Sequence, residues 1–314
     1  RRRLAQLPEQ VHDALLALGH YQSTMTSELS QADDCWRISV QITPGPVVRY
    51  RNVAVSVVGA GSGAPQLQSV VAAAPVTGDA LHHGRFDAYK RQLARRLLSR
   101  GYVDWEYHSN RAEVTVAEQA IDVELTIDSG QRYRIGEVVV SQDVLDRSLI
   151  DRLVRIEPGM PFDQRDLTQL QQDLSSSAYI SRVLVTADFD AAADGRIPVR
   201  IELTPSERLG YFVGVGASTD RGPRLRSGYR NRRVNGRGHQ FDAVLQVSPV
   251  LSAFNANYKR PLENPLVEWE SYVVEFDDER TDSFDQRSAS LGIERTRVLP
   301  KGRLLPWGGQ LSRS

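Results

Sequence analysis

At 314 residues the chain has room for two or three separately cored domains, and its 39 Lys plus Arg against 39 Asp plus Glu leave no global charge to draw it to nucleic acid or an acidic surface. Hydrophobic residues make up 40% at a mean hydropathy of −0.38, and no run approaches the roughly 18 to 20 apolar residues of a membrane helix. A β-barrel strand escapes that test, because only alternate residues need be apolar.

The chain begins RRRLAQLPEQ, with neither Met nor an apolar stretch after the arginines, so no signal peptide is visible and the start is expected to cut into a domain. Val11, Leu15 and Leu18 make a first helical stripe, and Gly19 turns the chain into paired strands, LGHYQSTMTSEL and CWRISVQITPG. The single cysteine, Cys35, excludes an internal disulfide framework and reads as a small half-buried hydrophobe beside Trp36. RYRNVAVSVVG then predicts a strand, with a short helix around 65–73 after it. Phe86, Tyr89, Leu93 and Leu97 form a second stripe, ended at Gly101 and followed by the strands in RGYVDWEYHSN and AIDVELTIDSG. RYRIGEVVVS, a helix around 146–155, the stripe Phe162, Leu167, Leu170 and Leu174, and the strands of SAYISRVLVTADFD and RIPVRIELTPS repeat that order. The anchors Tyr21, Tyr102 and Tyr179 lie about 80 residues apart. The unit is therefore strand, helix, helix, strand, strand, and the first copy shows only its second half.

From residue 209 the pattern changes. Tyr211, Val213, Val215 and Ala217 alternate with Phe212, Gly214, Gly216 and Ser218, and similar alternation recurs through Ile293. Tyr211, Tyr229, Tyr258 and Trp269 suit an interfacial girdle. About six such strands are expected before RVLPKGRLLPWGGQLSRS breaks the rhythm. A sheet of six left open in lipid would carry an edge of unsatisfied backbone groups, so the expectation is the N-terminal piece of a barrel, not a whole one.

Several motifs suggest chemistry and lose to simpler readings. Gly59, Gly61 and Ala64 satisfy G-x-G-x-x-A with Asp79 beyond, but a second helix follows where a parallel strand is needed, so a flexible turn is expected. His82 and His83 lack Cys or acidic companions at ligand spacing. Asp87 and Asp163 read as helix-start carboxylates. Arginines 221, 224, 226, 230, 232, 233 and 237 could suggest nucleic acid, yet Arg224, Arg226 and Arg230 keep a strand rhythm that suits a barrel interior or a headgroup-level turn. No enzyme activity, cofactor, metal or nucleic acid is expected.

A tandem β-α-α-β-β unit followed by alternating strands resembles the POTRA domains of the surface antigen D15-like insertase superfamily, which joins periplasmic POTRA domains to an outer-membrane β-barrel. LGHYQSTMTSELS, ITPGPVV, SGQRYRIGEVVV, GVGASTDRGPRLRSGYRNRRVNGRGH and YKRPLENPL look most like TamA, the outer-membrane subunit of the translocation and assembly module, over residues 1 to about 298. The resemblance implies an α+β array of tandem POTRA repeats followed by the N-terminal strands of an incomplete antiparallel transmembrane β-barrel. The expected divisions are the C-terminal part of a first POTRA domain (1–45), a second (46–128), a third (129–205), the first barrel strands (206–298) and a tail unlike the family (299–314). It also implies a non-enzymatic assembly factor in the bacterial outer membrane, with its POTRA domains in the periplasm, that inserts autotransporters and other β-barrel proteins. Expected partners are a TamB-like inner-membrane-anchored protein, unfolded outer-membrane protein clients and outer-membrane lipid. Ser56 and Val139 are the candidate POTRA edge positions for pairing with a client strand, and Gly214 and Gly216 would loosen a barrel seam. The alternatives are a BamA-like general barrel-assembly subunit and a soluble periplasmic peptide-binding scaffold.

Overall fold

A computed structural model describes residues 6–32, 35–219, 222–280, 285–299 and 303–313; the Cys35 side chain, Asp220 and Arg221, about which the sequence raises expectations, lie outside that description. The elements are α1 (Leu7–Ala17), β1 (Thr24–Ala32), β2 (Cys35–Thr43), β3 (Arg49–Val58), α2 (Pro65–Val71), α3 (His83–Ser99), β4 (Glu106–Thr115) and β5 (Ala120–Asp128). They continue with β6 (Arg134–Ser141), α4 (Arg147–Leu153), α5 (Gln164–Ser176), β7 (Ile180–Ala187) and β8 (Arg196–Pro205). Seven further strands complete the chain: β9 (Leu209–Ser218), β10 (Gly222–Asn231), β11 (Gln240–Val247), β12 (Leu251–Pro261), β13 (Glu268–Arg280), β14 (Asp285–Leu299) and β15 (Arg303–Arg313). Two compact units divide them, one of residues 1–134, 161–164 and 192–196, the other of 135–160, 165–191 and 197–314.

In the first unit β3, β5 and β4 form a sheet in that order, β3 parallel and β4 antiparallel to the central β5. The alternation of β5 aims Ile121, Val123, Leu125 and Ile127 at one face, where none exceeds 3% exposure. The stripe Phe86, Tyr89, Leu93 and Leu97 of α3 meets them together with Leu67 and Val70 of α2. Each fully buried leucine here contributes about 1.5–3 kcal/mol. The hairpin β1–β2 repeats the alternation with Trp36, Ile38, Val40 and Ile42, which are all exposed, and α1 buries none of its residues, so the stripe expected at Val11, Leu15 and Leu18 closes no core there.

One junction recurs within this unit. The Gly19 carbonyl accepts from Val48 N–H (2.9 Å), whose carbonyl accepts from Leu81 N–H (2.8 Å). Gly101 does the same for Tyr133 (2.7 Å), whose carbonyl accepts from Phe162 N–H (3.0 Å). Both glycines have positive φ, +85° and +84°, and a Cβ at Gly101 would lie 2.9 Å from Phe162 Cβ. Phe162, placed by the sequence in the α5 stripe, precedes that helix and is fully buried against this junction. Gly101→Ala is expected to destabilise the first unit by about 1–3 kcal/mol, read by denaturant titration, because it combines left-handed strain with a steric conflict.

Burial pushes the Tyr89 hydroxyl up to about 12, and Tyr50 moves up through burial and Asp79. The sign follows from linkage. The unfolded tyrosine ionises first, so the unfolded state binds fewer protons between its ordinary pKa near 10 and the folded value, and stability falls as pH rises through that window. Denaturant midpoints measured between pH 9 and 12 should fall, and Tyr89→Phe should flatten the slope.

The second unit contains a sheet in the order β6-β8-β7, covered by Leu149, Ile150 and Leu153 of α4 and Leu167, Leu170 and Leu174 of α5, all buried. The inward residues of β8, Ile197, Val199, Ile201 and Leu203, repeat the β5 pattern at 0–6% exposure. Tyr179 follows α5, and its hydroxyl donates to the Gly238 carbonyl (2.7 Å) while Arg152 donates to the carbonyls of Leu262 (2.9 Å) and Arg237 (3.0 Å). The repeat is thereby hydrogen-bonded to the turns of the strands that follow.

Those strands form an open antiparallel meander, β9 to β15 in chain order, with no closure among the described residues. The register runs Val215↔Leu225↔Val247 on one side and Val274↔Leu291↔Leu311 on the other. One face is consequently apolar across the sheet. Val213, Val215, Leu291, Ile293, Trp307 and Leu311 are 58–85% exposed on it. Neighbouring rings Tyr211–Tyr229, Tyr229–Phe241 and Tyr258–Tyr272 lie along one end of that face, with centroids 5.3–6.4 Å apart. The other face carries Arg226, Arg230, Asp242, Asn255 and Glu275, with ion pairs such as Arg230–Asp242. Six strands, β9 to β14, precede the stretch set aside as a tail, as expected, and that stretch itself supplies a seventh, β15. Pro306 and the pair Gly308–Gly309 break the sequence rhythm, but β15 is an edge strand, where a missing N–H is tolerated.

Candidate strand-pairing site

An edge strand can recruit another chain only where its backbone groups are unpaired and the approach is open. Among the described residues, β6 meets both conditions past its first residues. Ile135 N–H donates to the Met160 carbonyl (2.8 Å) and its own carbonyl accepts from Gly159 N–H (2.7 Å), on the side away from β8. Strand alternation then turns the N–H and C=O of Glu137, Val139 and Ser141 to that same outer side, past the point where residues 159–160 cover it. Val139 is 43% exposed. Beside this edge runs a groove of about 700 Å3, floored by Val138, Val139, Leu145, Ile150, Val154 and Ile156. Its rim carries Glu137, Asp151 and Glu157 against Arg147.

The other edge positions differ. Ser56 lies on β3, an edge of the first unit's sheet, and its hydroxyl exchanges a hydrogen bond with Thr126 of β5 (3.1 Å). The start of β3 is covered as β6 is, through Tyr50 N–H to the Asp79 carbonyl (3.0 Å) and Gly78 N–H to the Tyr50 carbonyl (2.7 Å). Gly214 and Gly216 lie on β9, an edge of the seven-stranded sheet, opposite Arg226 and Arg224. Gly216 makes room for a side chain: a Cβ there would lie 3.1 Å from Arg224 Nε. Opposite each other in the same pair, Phe212 lies over Gly228, and Arg226 stacks on the Phe212 ring at 5.7 Å. Small residues on one strand thus accommodate large ones on its neighbour, a pairing that two sequences far apart in composition do not advertise.

The remaining motifs have structural roles. The Gly59–Gly61 turn spends its backbone donors internally, Gly61 N–H on Ser129 Oγ (2.8 Å) and Ala60 N–H on the Gly130 carbonyl (3.3 Å), which leaves no cradle for a phosphate. His82 caps α3 by accepting from Arg85 N–H, and His83 pairs with the Tyr21 hydroxyl (2.8 Å). No cluster of three metal-ligating side chains occurs among the described residues. Asp87 pairs with Lys90 (3.1 Å) at the surface. Asp163 directly precedes α5, where a helix-start carboxylate is expected, and it is also buried and ion-paired with buried Arg100. That pairing joins residues 63 apart, which local sequence does not encode.

Residues 1–44 match the family described as the POTRA domain, TamA domain 1. Among solved structures, BamA from Haemophilus ducreyi lacking POTRA domains 1–3 is similar over 84% of this chain and 51% of its own, with 13% identity and a TM-score of 0.61. CdiB from Escherichia coli aligns over 99% of this chain and 56% of its own at 16% identity, with a TM-score of 0.46. POTRA domains 1–3 of Omp85 from Anabaena align over 65% and 82% at 16% identity, with a TM-score of 0.29. The fold assignment rests on the first of these, of whose length this chain spans about half. Together with the two complete β-α-α-β-β units and the apolar-faced meander, it shows that the chain has the fold of a BamA-like barrel fragment led by POTRA-like domains.

Proposed function

We propose that the chain belongs to the POTRA-and-barrel superfamily and is a non-enzymatic assembly factor of the bacterial outer membrane, its POTRA domains in the periplasm and its seven-stranded sheet facing lipid. Its action is β-augmentation: an unfolded outer-membrane protein pairs its backbone with β6 alongside Val139, laying alternate side chains into the groove against α4. The observation that carries this reading is the open β6 edge beside that groove. The β9 edge is the second pairing strand, the seam where a client hairpin enters the sheet. Within the superfamily the reading is TamA-like, supported by the match over residues 1–44, with autotransporters among the clients and a TamB-like partner. The similarity to BamA favours a general insertase as the second reading. A photoreactive residue at Val139 should crosslink to a translocating client precursor, and one at buried Leu203 should not. Equal crosslinking at both positions, or none at Val139, would remove the β6 edge from the mechanism. Co-purification with a TamB-like protein or with general assembly components separates the two branches.

A further inference from the structure

The second unit holds another pocket, of about 250 Å3, which adjoins the strand-pairing groove at Leu145. One wall is the lead-in to α4, with Asp146 and Leu149; the other is Arg208, Arg233 and the β10–β11 turn at Asn235. Arg233 donates through Nη2 to the Ser206 carbonyl (3.0 Å), while its Nε and Nη1 are buried without a partner. Arg208 is exposed and, among the described residues, forms no ion pair. The Asp146 carboxylate packs directly on Gly236, where a Cβ would overlap it, and, among the described residues, is not ion-paired to either arginine.

Buried guanidinium donors left unpaired are costly, so this arrangement calls for an acceptor. Burial and the charge of Arg208 hold Arg233 below the usual arginine range, and His239 nearby is pushed down by burial and then by Arg260, Arg237 and Arg152. The field at this end of the sheet is positive, and a tetrahedral oxyanion matches a guanidinium fork. Depth points to the source. Arg208 directly precedes β9 and Arg233 follows β10, at the end of that hairpin where Tyr211 and Tyr229 pair. Rings of that kind mark the membrane interface, and a pocket one step beyond them lies among headgroups.

We propose that Arg208 and Arg233 bind the phosphate of a phospholipid headgroup, with Asp146 accepting a hydrogen bond from the headgroup's ammonium or hydroxyl. This rests on the seven-stranded sheet facing lipid. The test titrates the whole chain, in neutral detergent micelles, with short-chain phosphatidylethanolamine, phosphatidylglycerol, phosphatidylcholine and inorganic phosphate, read by calorimetry. Phosphatidylethanolamine and phosphatidylglycerol should bind saturably, and phosphatidylcholine, which offers no donor to Asp146, about ten-fold more weakly. Arg208→Gln should weaken binding about ten-fold with unchanged circular dichroism, Arg233→Lys should do the same, and Asp146→Ala, which removes the acceptor, should abolish the discrimination against phosphatidylcholine. Unchanged affinity in folded Arg208→Gln, or equal affinity for all three lipids, would overturn the proposal. Binding of inorganic phosphate but of no lipid would reassign the pocket to soluble phosphate. Failure of the wild-type chain to partition into liposomes would overturn the membrane reading and, with it, the lipid source.

Discussion

Asp163→Ala is expected to destabilise the first unit by about 3–5 kcal/mol, the largest effect of any single polar substitution proposed for this chain. Arg100 is 7% exposed and Asp163 6% exposed, and the two form an ion pair. Removing the carboxylate leaves a guanidinium held away from water without its counter-charge, whereas removing both charges relieves the desolvation penalty of each. The double substitution Arg100→Met with Asp163→Leu should therefore recover most of the lost stability. Denaturant midpoints for wild type, both single variants and the double variant complete the cycle. Additive losses would mean that the two residues act separately. Phe162 should respond with them, because it precedes Asp163 and donates its N–H to the Tyr133 carbonyl.

Val139→Pro should reduce client assembly about ten-fold while the fold survives, the second large effect. Proline removes the outward N–H of Val139 and thickens the edge against an approaching strand, and an edge position away from β8 tolerates it. One backbone hydrogen bond is worth about 0.5–1.5 kcal/mol net, so its loss accounts for up to about ten-fold in affinity. Val139→Thr keeps the N–H and should stay near wild type. The measurement is the yield of folded client in reconstituted membranes, with circular dichroism confirming that each variant is folded. Equal yields for Val139→Pro and Val139→Thr would show that β6 is not a pairing strand.

Local periodicity made the two complete repeats readable without coordinates. Phe86, Tyr89, Leu93 and Leu97 recur at helical spacing, and Ile121, Val123, Leu125 and Ile127 at strand spacing; both sets are buried where those spacings put them. The same logic assigned Leu18 to a core stripe, yet it is 44% exposed, because periodicity says which residues share a face and not whether another layer covers it. Pro306 shows the opposite failure. Its local signal is that of a strand breaker, and only its place on the sheet edge lets β15 form.

The candidate sites divide similarly. The sequence named Val139 only as a position on an expected edge strand; that residues 159–160 cover the start of this edge and leave its middle open beside a groove, among the described residues, is decided by the chain's return after α4. Gly216 was legible as an absent side chain and not as the space that Arg224 occupies. Arg208 and Arg233 share a pocket with Asp146, and Arg100 shares a buried ion pair with Asp163, across separations that no local pattern spans. The sequence alone thus determined the repeat, its helices and strands, and the passage to an apolar-faced sheet, since each follows from side-chain spacing along the backbone. Tertiary structure decided which edges stay open, which charges meet and which faces are covered, since those depend on contacts between residues far apart in the chain.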